Sequence, residues 1–223
     1  MPNFQSLFPL VMRHTGQTLS MVFFSTVFSL ILGLPIGVLL CISSPASEGG
    51  IKPMKALNSI LGRIVNILRS FPFLILMIVL FPLSRLILGR SIGTAAAIVP
   101  RSIAAAPFVA RIIESALKEV DPGVIQAAKA MGSTNTQIVT KVLLPEAMPA
   151  LVSGVTLTII NLIGYSAMAG VIGGGGLGDL AIRYGFQGWR TDVLVAAVIV
   201  ILVLVEIVQL IGNLIVSALI RRR

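Results

Sequence analysis

The chain has 223 residues, of which 56% are hydrophobic and only 11% are charged, and its formal net charge is +9. Soluble domains carry about 25% charged residues, so this composition excludes a water-soluble globule. The lone cysteine, Cys41, excludes a disulfide-bonded secreted scaffold, and the abundance of apolar residues excludes a disordered chain. The composition therefore predicts a polytopic membrane protein with a single transmembrane domain over residues 1–223.

Long apolar runs predict five membrane-spanning helices, because a helix needs about 20 apolar residues to cross the hydrocarbon core. We expect them at about 18–42, 60–82, 91–113, 147–170 and 193–220. A cleaved signal peptide is the alternative for the first run, but its apolar region has only about 7–15 residues, and this run is longer. Five spans place the two termini on opposite sides of the membrane.

The distribution of Lys and Arg predicts the orientation, since cytoplasmic loops carry an excess of both. With the amino terminus outside, the outer segments hold Arg13, Arg85, Arg90, Arg183 and Arg190. The inner segments hold Lys52, Lys55, Arg63, Arg69, Arg111, Lys118, Lys129, Lys141, Arg221, Arg222 and Arg223. We therefore expect the amino terminus outside and the carboxyl terminus in the cytoplasm. The positive charge indicates topology, not a nucleic-acid-binding face.

The only long polar stretch, 114–146, lies between the third and fourth spans and is predicted to be helical. Asp121 before Pro122 is typical of a helix start, and Gly132 is typical of a helix end just after Met131. A second helix is predicted to open with the capping-box spacing of Thr134 and Gln137. It is expected to end near Leu144, because Pro145 disfavours helical backbone in the residue before it.

The first of these loop helices carries small side chains at Ala127, Ala128 and Ala130. Small side chains let another protein surface approach the backbone closely, so the helix is interpreted as a docking element. A helix that lies on the membrane surface is the alternative.

The stretch Gln126-Ala127-Ala128, followed by Gly132 and then by Val142, Leu144 and Pro145, resembles the cytoplasmic signature loop of ABC importer permeases. The spacing matches the family pattern throughout, with Gln126 in place of the usual Glu and Val142 in place of the usual Ile. The resemblance implies an all-α integral membrane protein with the type I ABC importer permease fold. Its coupling helix, about 122–131, would contact a separate ATPase between spans three and four. The implied coupling residues are Gln126, Ala127, Ala128, Gly132, Leu144 and Pro145.

The resemblance also implies the partners and the location. The permease is expected to be a homodimer in the bacterial cytoplasmic membrane, assembled with two ATP-binding cassette subunits and served by an extracytoplasmic binding protein. ATP and Mg would bind the partner ATPase, and no cofactor is expected in this chain. No Gly-Lys dipeptide occurs, so the chain lacks a Walker A loop and is not predicted to be an enzyme.

Further blocks are similar to the methionine branch of that family. They are Gly164-Tyr165-Ser166-Ala167-Met168-Ala169-Gly170, Arg69-Ser70-Phe71-Pro72-Phe73 and Ala106-Pro107-Phe108-Val109-Ala110-Arg111. This resemblance implies L-methionine as cargo, with D-methionine and close analogues as further candidates. The alternatives are an ABC permease for another amino acid or a quaternary amine, and a stand-alone channel or proton-coupled carrier. The absence of an evident internal repeat disfavours a carrier.

The glycines at 173, 175 and 178 fit the G-x-G-x-x-G spacing of a nucleotide-binding loop, but they follow a membrane span and not a strand. We instead expect an irregular turn on the outer side. Just before it, Tyr165, Ser166 and Met168 are candidates for a translocation gate, in which the Met168 side chains of two copies would meet. Ordinary helix packing is the alternative.

Two charged residues lie inside apolar spans, Arg101 in the third and Glu206 in the fifth. Such residues are functional candidates by default. Glu206 is either a proton relay or a polar contact to a neighbouring side chain, and Arg101 is expected to use a carbonyl freed by Pro100. His14 and Cys41 are expected to be incidental, and no metal-ligand spacing occurs.

Overall fold

In the computed structural model, residues 4–45, 50–90 and 92–221 are described, with side chains from residue 7 onward. This part of the chain contains helices, turns and no strand, so the predicted all-helical fold is confirmed. Ser91, where the third span was expected to begin, lies outside the described residues, as do Arg222 and Arg223 of the predicted inner segment.

The helices follow one another with short connections. In chain order they are α1 Phe4–Ser43, α2 Lys55–Ser70, α3 Phe73–Leu88, α4 Thr94–Lys118, α5 Pro122–Ala130, α6 Asn135–Gln137, a π-helical segment Ile138–Leu143, α7 Leu144–Glu146, α8 Met148–Gly164, α9 Ser166–Val171, α10 Gly176–Asp179, a second π-helical segment Leu180–Phe186, and α11 Thr191–Arg221.

Four helical stretches of the described chain are long and apolar enough to cross a membrane, namely α1, α4, α8 with α9, and α11. The pair α2 and α3 passes the same test together, but its axis bends by 104° at the break. The second span, expected as one run over 60–82, is thus two helices. Pro72 stands at the break with φ −56° and ψ 126° and disfavours helical backbone in the residue before it. Beyond the break, α3 continues through Pro82 to Leu88.

The described chain forms two compact units, and the long helices α1, α4, α8 and α11 contribute to both. The first unit comprises Met1–Ser29, Phe71–Ala105 and Thr158–Leu210. It has one apolar cluster around Leu177, Leu180 and Val193 and another around Leu162 and Ile163.

The second unit comprises Leu30–Ser70, Ala106–Leu157 and Ile211–Arg223. Its core gathers Ile113 and Leu117 of α4 with Ile138 and Leu143 of the first π-helical segment, and each of these side chains is at most 2% exposed. The polar loop between α4 and α8 is therefore a folded part of this unit, and its helices share a core with α4.

The second loop helix does not end near Leu144 as predicted. The chain stays helical through Pro145 to Glu146, and the backbone over Ile138–Leu143 is π-helical. The Leu144 N–H bonds to the Val139 carbonyl, five residues back. Proline has no N–H and obstructs the preceding α-helical turn. The wider π turn accommodates the proline, and such turns occur as single insertions within α-helices.

Candidate functional site

Both ends of α5 are fixed by local hydrogen bonds. Asp121 is the N-cap residue, its Oδ1 accepts the Gly123 N–H at 2.6 Å, and Pro122 is the first helical residue, which confirms the predicted start. At the other end, Gly132 has φ 80°. Its N–H bonds to the Lys129 carbonyl at 3.0 Å, and the Ser133 N–H bonds to the Ala128 carbonyl at 3.1 Å. This Schellman arrangement needs the left-handed backbone that glycine adopts most easily.

One face of α5 belongs to the core and the other is exposed. Ile125 and Ala128 are 7% and 2% exposed and pack with the core of the second unit. Gln126 and Ala127 are exposed. The two alanines of the motif therefore have different environments, which their identical chemistry gave no means to predict.

The exposed face of α5 contains residues that the motif did not identify. Val124 is 40% exposed, and Met131, the C-cap residue that follows α5, is 80% exposed; both are apolar. Their separation of seven residues is the signal that was available, because it places both on one side of a helix. Ala127 lies on the same side, and these three residues form what we call the α5 surface, whereas Gln126 is exposed on another side of the helix.

The remaining coupling candidates lie along the connection to α8. Gly132 and Pro145 are exposed, whereas Leu144 is half-buried against the core. The predicted capping box is confirmed, because the Thr134 N–H donates to Gln137 Oε1 at 2.8 Å and the Gln137 N–H donates to Thr134 Oγ1 at 3.4 Å. The motif residues thus follow one continuous folded connection and are not gathered in a pocket.

The glycine-rich segment of the first unit is the predicted irregular turn. Gly173, Gly175 and Gly176 have φ of 75°, 76° and 84°. The turn brings α10 back against α9 so closely that a Cβ at Gly178 would lie 2.2 Å from the Ser166 carbonyl oxygen. Only a residue without a side chain permits this approach of two backbones.

Side chains of α1 hold the start of α10. Gln17 Oε1 accepts the Gly176 N–H at 2.9 Å, and Thr18 Oγ1 accepts the Leu177 N–H at 2.8 Å. His14 Nδ1 lies 3.0 Å from the Gly176 carbonyl oxygen, and the His14 ring meets the Tyr184 ring edge to face. The N–H groups of a helix start need acceptors from outside the helix, and Gln17 and Thr18 supply them. His14, expected to be incidental, contacts the carbonyl of the same residue, Gly176, and so belongs to this structural anchor.

The gate candidates occupy three different environments at the break between α8 and α9. Tyr165 lies at the break and stacks on Phe73 of α3, with ring centroids 4.0 Å apart. Ser166 is fully buried, and its Oγ has no hydrogen-bond partner among the described residues. Met168 is 36% exposed. The structure therefore joins Tyr165 to Phe73, a contact that the sequence gave no means to foresee, and leaves the Met168 side chain accessible.

Arg101 is completely buried in the first unit. Its Nη2 donates to the Leu162 carbonyl oxygen, and its Nη1 lies 3.6 Å from Met21 Sδ. Leu162 belongs to the last turn of α8, where carbonyls lack partners within the helix. The acceptor is therefore supplied by the end of α8, and not by the turn at Pro100 as expected.

The other polar candidates have simple surroundings. Glu206 lies on an exposed side of α11, and Cys41 is buried in the core of the second unit. Gln209 and Asn213, which follow Glu206 on α11, both have interactions in the structure. Within the described residues, no group of three or more His, Cys, Asp or Glu side chains is arranged to hold a metal ion.

Residues 33–223 match the family model of the binding-protein-dependent transport system inner membrane component. A probable D-methionine transport system permease of Vibrio cholerae is 49% identical over 213 residues, 96% of this chain and 92% of that protein. The methionine import system permease of Bacillus subtilis is 49% identical over 176 residues, 79% of each chain. A chain in an inward-facing structure of the MetNI methionine ABC transporter is 45% identical, with a TM-score of 0.93 over 98% of this chain and 99% of that chain.

Proposed function

Because the chain belongs to the family of binding-protein-dependent transport system inner membrane components, we propose that it is the membrane-spanning subunit of an ABC importer for methionine. The main support for methionine as the cargo is the 49% identity to a probable D-methionine permease over nearly the whole of both chains. This chain moves the cargo without changing it, and a separate subunit hydrolyses the ATP.

The assembly we propose is a homodimer of this chain with two ATPase subunits, in the bacterial inner membrane. An extracytoplasmic binding protein delivers the cargo to it. The excess of Lys and Arg in alternate loops supports an outer amino terminus and a cytoplasmic carboxyl terminus. In this orientation the loop between α4 and α8 lies in the cytoplasm, on the side where the ATPase binds ATP.

We propose that the α5 surface binds the ATPase. Val124 and Met131 provide apolar contact area, and Ala127 between them lets the partner approach the helix backbone. The opposite face is fixed to the permease, since Ile125 and Ala128 pack against Ile138 and Leu143. A displacement of α5 by the ATPase is therefore passed to the core and, through α7, to the start of α8.

The link from α5 to the core and to α8 suggests how ATP hydrolysis would drive the transport cycle. ATP binding closes the ATPase dimer and moves the two copies of α5 together. The translocation pathway between the permease subunits then switches from inward to outward access. Hydrolysis and product release reset it. α5 has only nine residues, but both of its termini are hydrogen-bonded, which keeps the helix folded while the ATPase moves it.

We further propose that Met168 contributes to the gate, with Tyr165 and Ser166 beside it. The exposed Met168 side chain is available to a second copy, and a flexible thioether adapts to a passing cargo. Tyr165 is held by its stacking on Phe73, so the break between α8 and α9 keeps a fixed shape around the gate.

Uptake of labelled methionine tests the proposed function. Cells that lack this chain are compared with cells in which it is restored, with L-methionine and D-methionine measured separately and with other amino acids and a quaternary amine as competitors. We expect uptake that returns with the chain and that stops when the partner ATPase is unable to hydrolyse ATP. Unchanged methionine uptake, together with uptake of a competitor that depends on the chain, would assign another cargo.

A further inference from the structure

The second unit contains a cavity of about 380 Å³ between α2, α4 and the first half of α8. This volume is within the range of about 300–1,000 Å³ that is usual for small-molecule sites. Its walls combine an apolar part, formed by Phe108, Ile112 and Leu157, with charged side chains. Most small-molecule sites combine an apolar wall with a few polar groups in this way.

The charged residues of the wall differ in what they already contact. Arg111 already has partners within the chain. Its Nη1 lies 2.5 Å from Glu114 Oε2, and its Nη2 donates to Asn66 Oδ1 at 2.9 Å. Arg69 at the end of α2 and Glu119 after α4 are both exposed, and neither has an ion-pair partner among the described residues. The cavity therefore offers one positive and one negative side chain that are available to a ligand.

We propose that this cavity is a binding site for the zwitterionic cargo within the permease itself. Arg69 would bind the α-carboxylate, Glu119 would bind the α-ammonium group, and Phe108, Ile112 and Leu157 would contact the apolar side chain of the amino acid. The hydroxyl group of Ser115, also in the wall, offers a further polar contact. This inference rests on the proposed function, because it takes the cargo to be an amino acid.

Opposite charges on the wall define the class of ligand. A quaternary amine without a carboxylate would leave Arg69 without a partner, and a simple carboxylate would leave Glu119 without one. Because both side chains are exposed, water screens each ion pair, and its contribution is about 0.2–1 kcal/mol, which corresponds to as much as roughly 5-fold in affinity. Loss of either charge should therefore be measurable.

Photolabelling of the complete permease–ATPase complex in lipid nanodiscs tests the site. The probe is L-photo-methionine, a diazirine analogue that keeps both charged groups, and labelled peptides are mapped by mass spectrometry. We expect labels within 108–119 and 153–157 that excess L-methionine removes. In Glu119→Gln and in Arg69→Gln, the probe concentration for half-maximal labelling should rise about 2-fold to 5-fold.

Two matched variants serve as controls. Arg85→Gln removes an arginine that lies in α3, and Asp192→Asn removes an acid that pairs with Arg190 at 3.0 Å, outside the cavity. Both should label as the unmodified complex does. Labels elsewhere in the chain, labels that L-methionine does not displace, or equal labelling of Glu119→Gln and the controls would each overturn the proposal.

Methionine uptake by the unmodified complex is measured alongside the labelling. The two results together distinguish a failure of the cavity proposal from a failure of the proposed function. Methionine uptake without labels in the cavity overturns the site and leaves the importer assignment standing. Absence of methionine uptake counts against the cargo, whereas the labelling result still decides whether the cavity binds a zwitterion.

Discussion

Ala127 and Ala128 are adjacent residues of one motif, and the structure predicts opposite consequences when each is replaced by leucine. Ala128 is 2% exposed and packs with Ile138 and Leu143, which are fully or almost fully buried. Leucine adds three carbon atoms at this buried position, and overpacking of a core costs about 1–3 kcal/mol. Ala127 is exposed, and leucine forms helix almost as well as alanine. Ala127→Leu should therefore change the stability of the permease by about 0.5 kcal/mol or less.

The two variants are compared by thermal unfolding and by ATP-driven uptake. For a chain of about this size, 1 kcal/mol shifts the Tm by about 2–4 °C, so Ala128→Leu should lower it by several degrees. Ala127→Leu should keep the Tm and lower uptake, because a leucine there separates the α5 surface from the ATPase. Pull-down of the ATPase by the purified permease measures that contact directly.

Two results would contradict this reasoning. Equal Tm values for the two variants would show that the core around Ala128 is not tightly packed. Normal ATPase binding and uptake in Ala127→Leu would show that the α5 surface is not the docking site. The double variant should combine both defects, since they arise by independent mechanisms.

Three further predictions concern the first unit. Gly178→Ala should destabilise the permease by about 1–3 kcal/mol or more, because its Cβ would lie 2.2 Å from the Ser166 carbonyl oxygen. At Gly164 nothing beyond its chain neighbours and its own helix backbone lies within 4 Å of a new Cβ. Gly164→Ala should therefore melt as the unmodified chain does, and the same Tm loss in both variants would refute the close-packing argument. Arg101→Lys keeps the charge but not the forked donor group that contacts Leu162 and Met21 together; we expect a lower Tm, and an unchanged one would show that these contacts add nothing. Met168→Ala should change basal uptake or the ratio of ATP hydrolysed to methionine transported, whereas normal values of both would exclude Met168 from the gate.

Short-range signals determined much of this protein. The apolar runs predicted an all-helical membrane chain, because a backbone in hydrocarbon must satisfy its own hydrogen bonds. The start of α5 at Asp121 and Pro122, its end at Gly132 and the capping box of Thr134 and Gln137 were all predicted from sequence. Each of these depends on hydrogen bonds between residues at most five positions apart, so neighbouring side chains are sufficient to specify them.

Contacts between distant residues were decided only by the tertiary structure. Gln17 and Thr18 hold N–H groups 159 residues away, and Arg101 reaches a carbonyl 61 residues away. Which alanine of α5 is buried depends on where α4 and the π-helical segment lie, and the cavity with Arg69 and Glu119 brings together α2, α4 and α8. A sequence pattern records the type and spacing of residues along one element, whereas burial and long-range hydrogen bonds depend on the neighbours that packing brings to it.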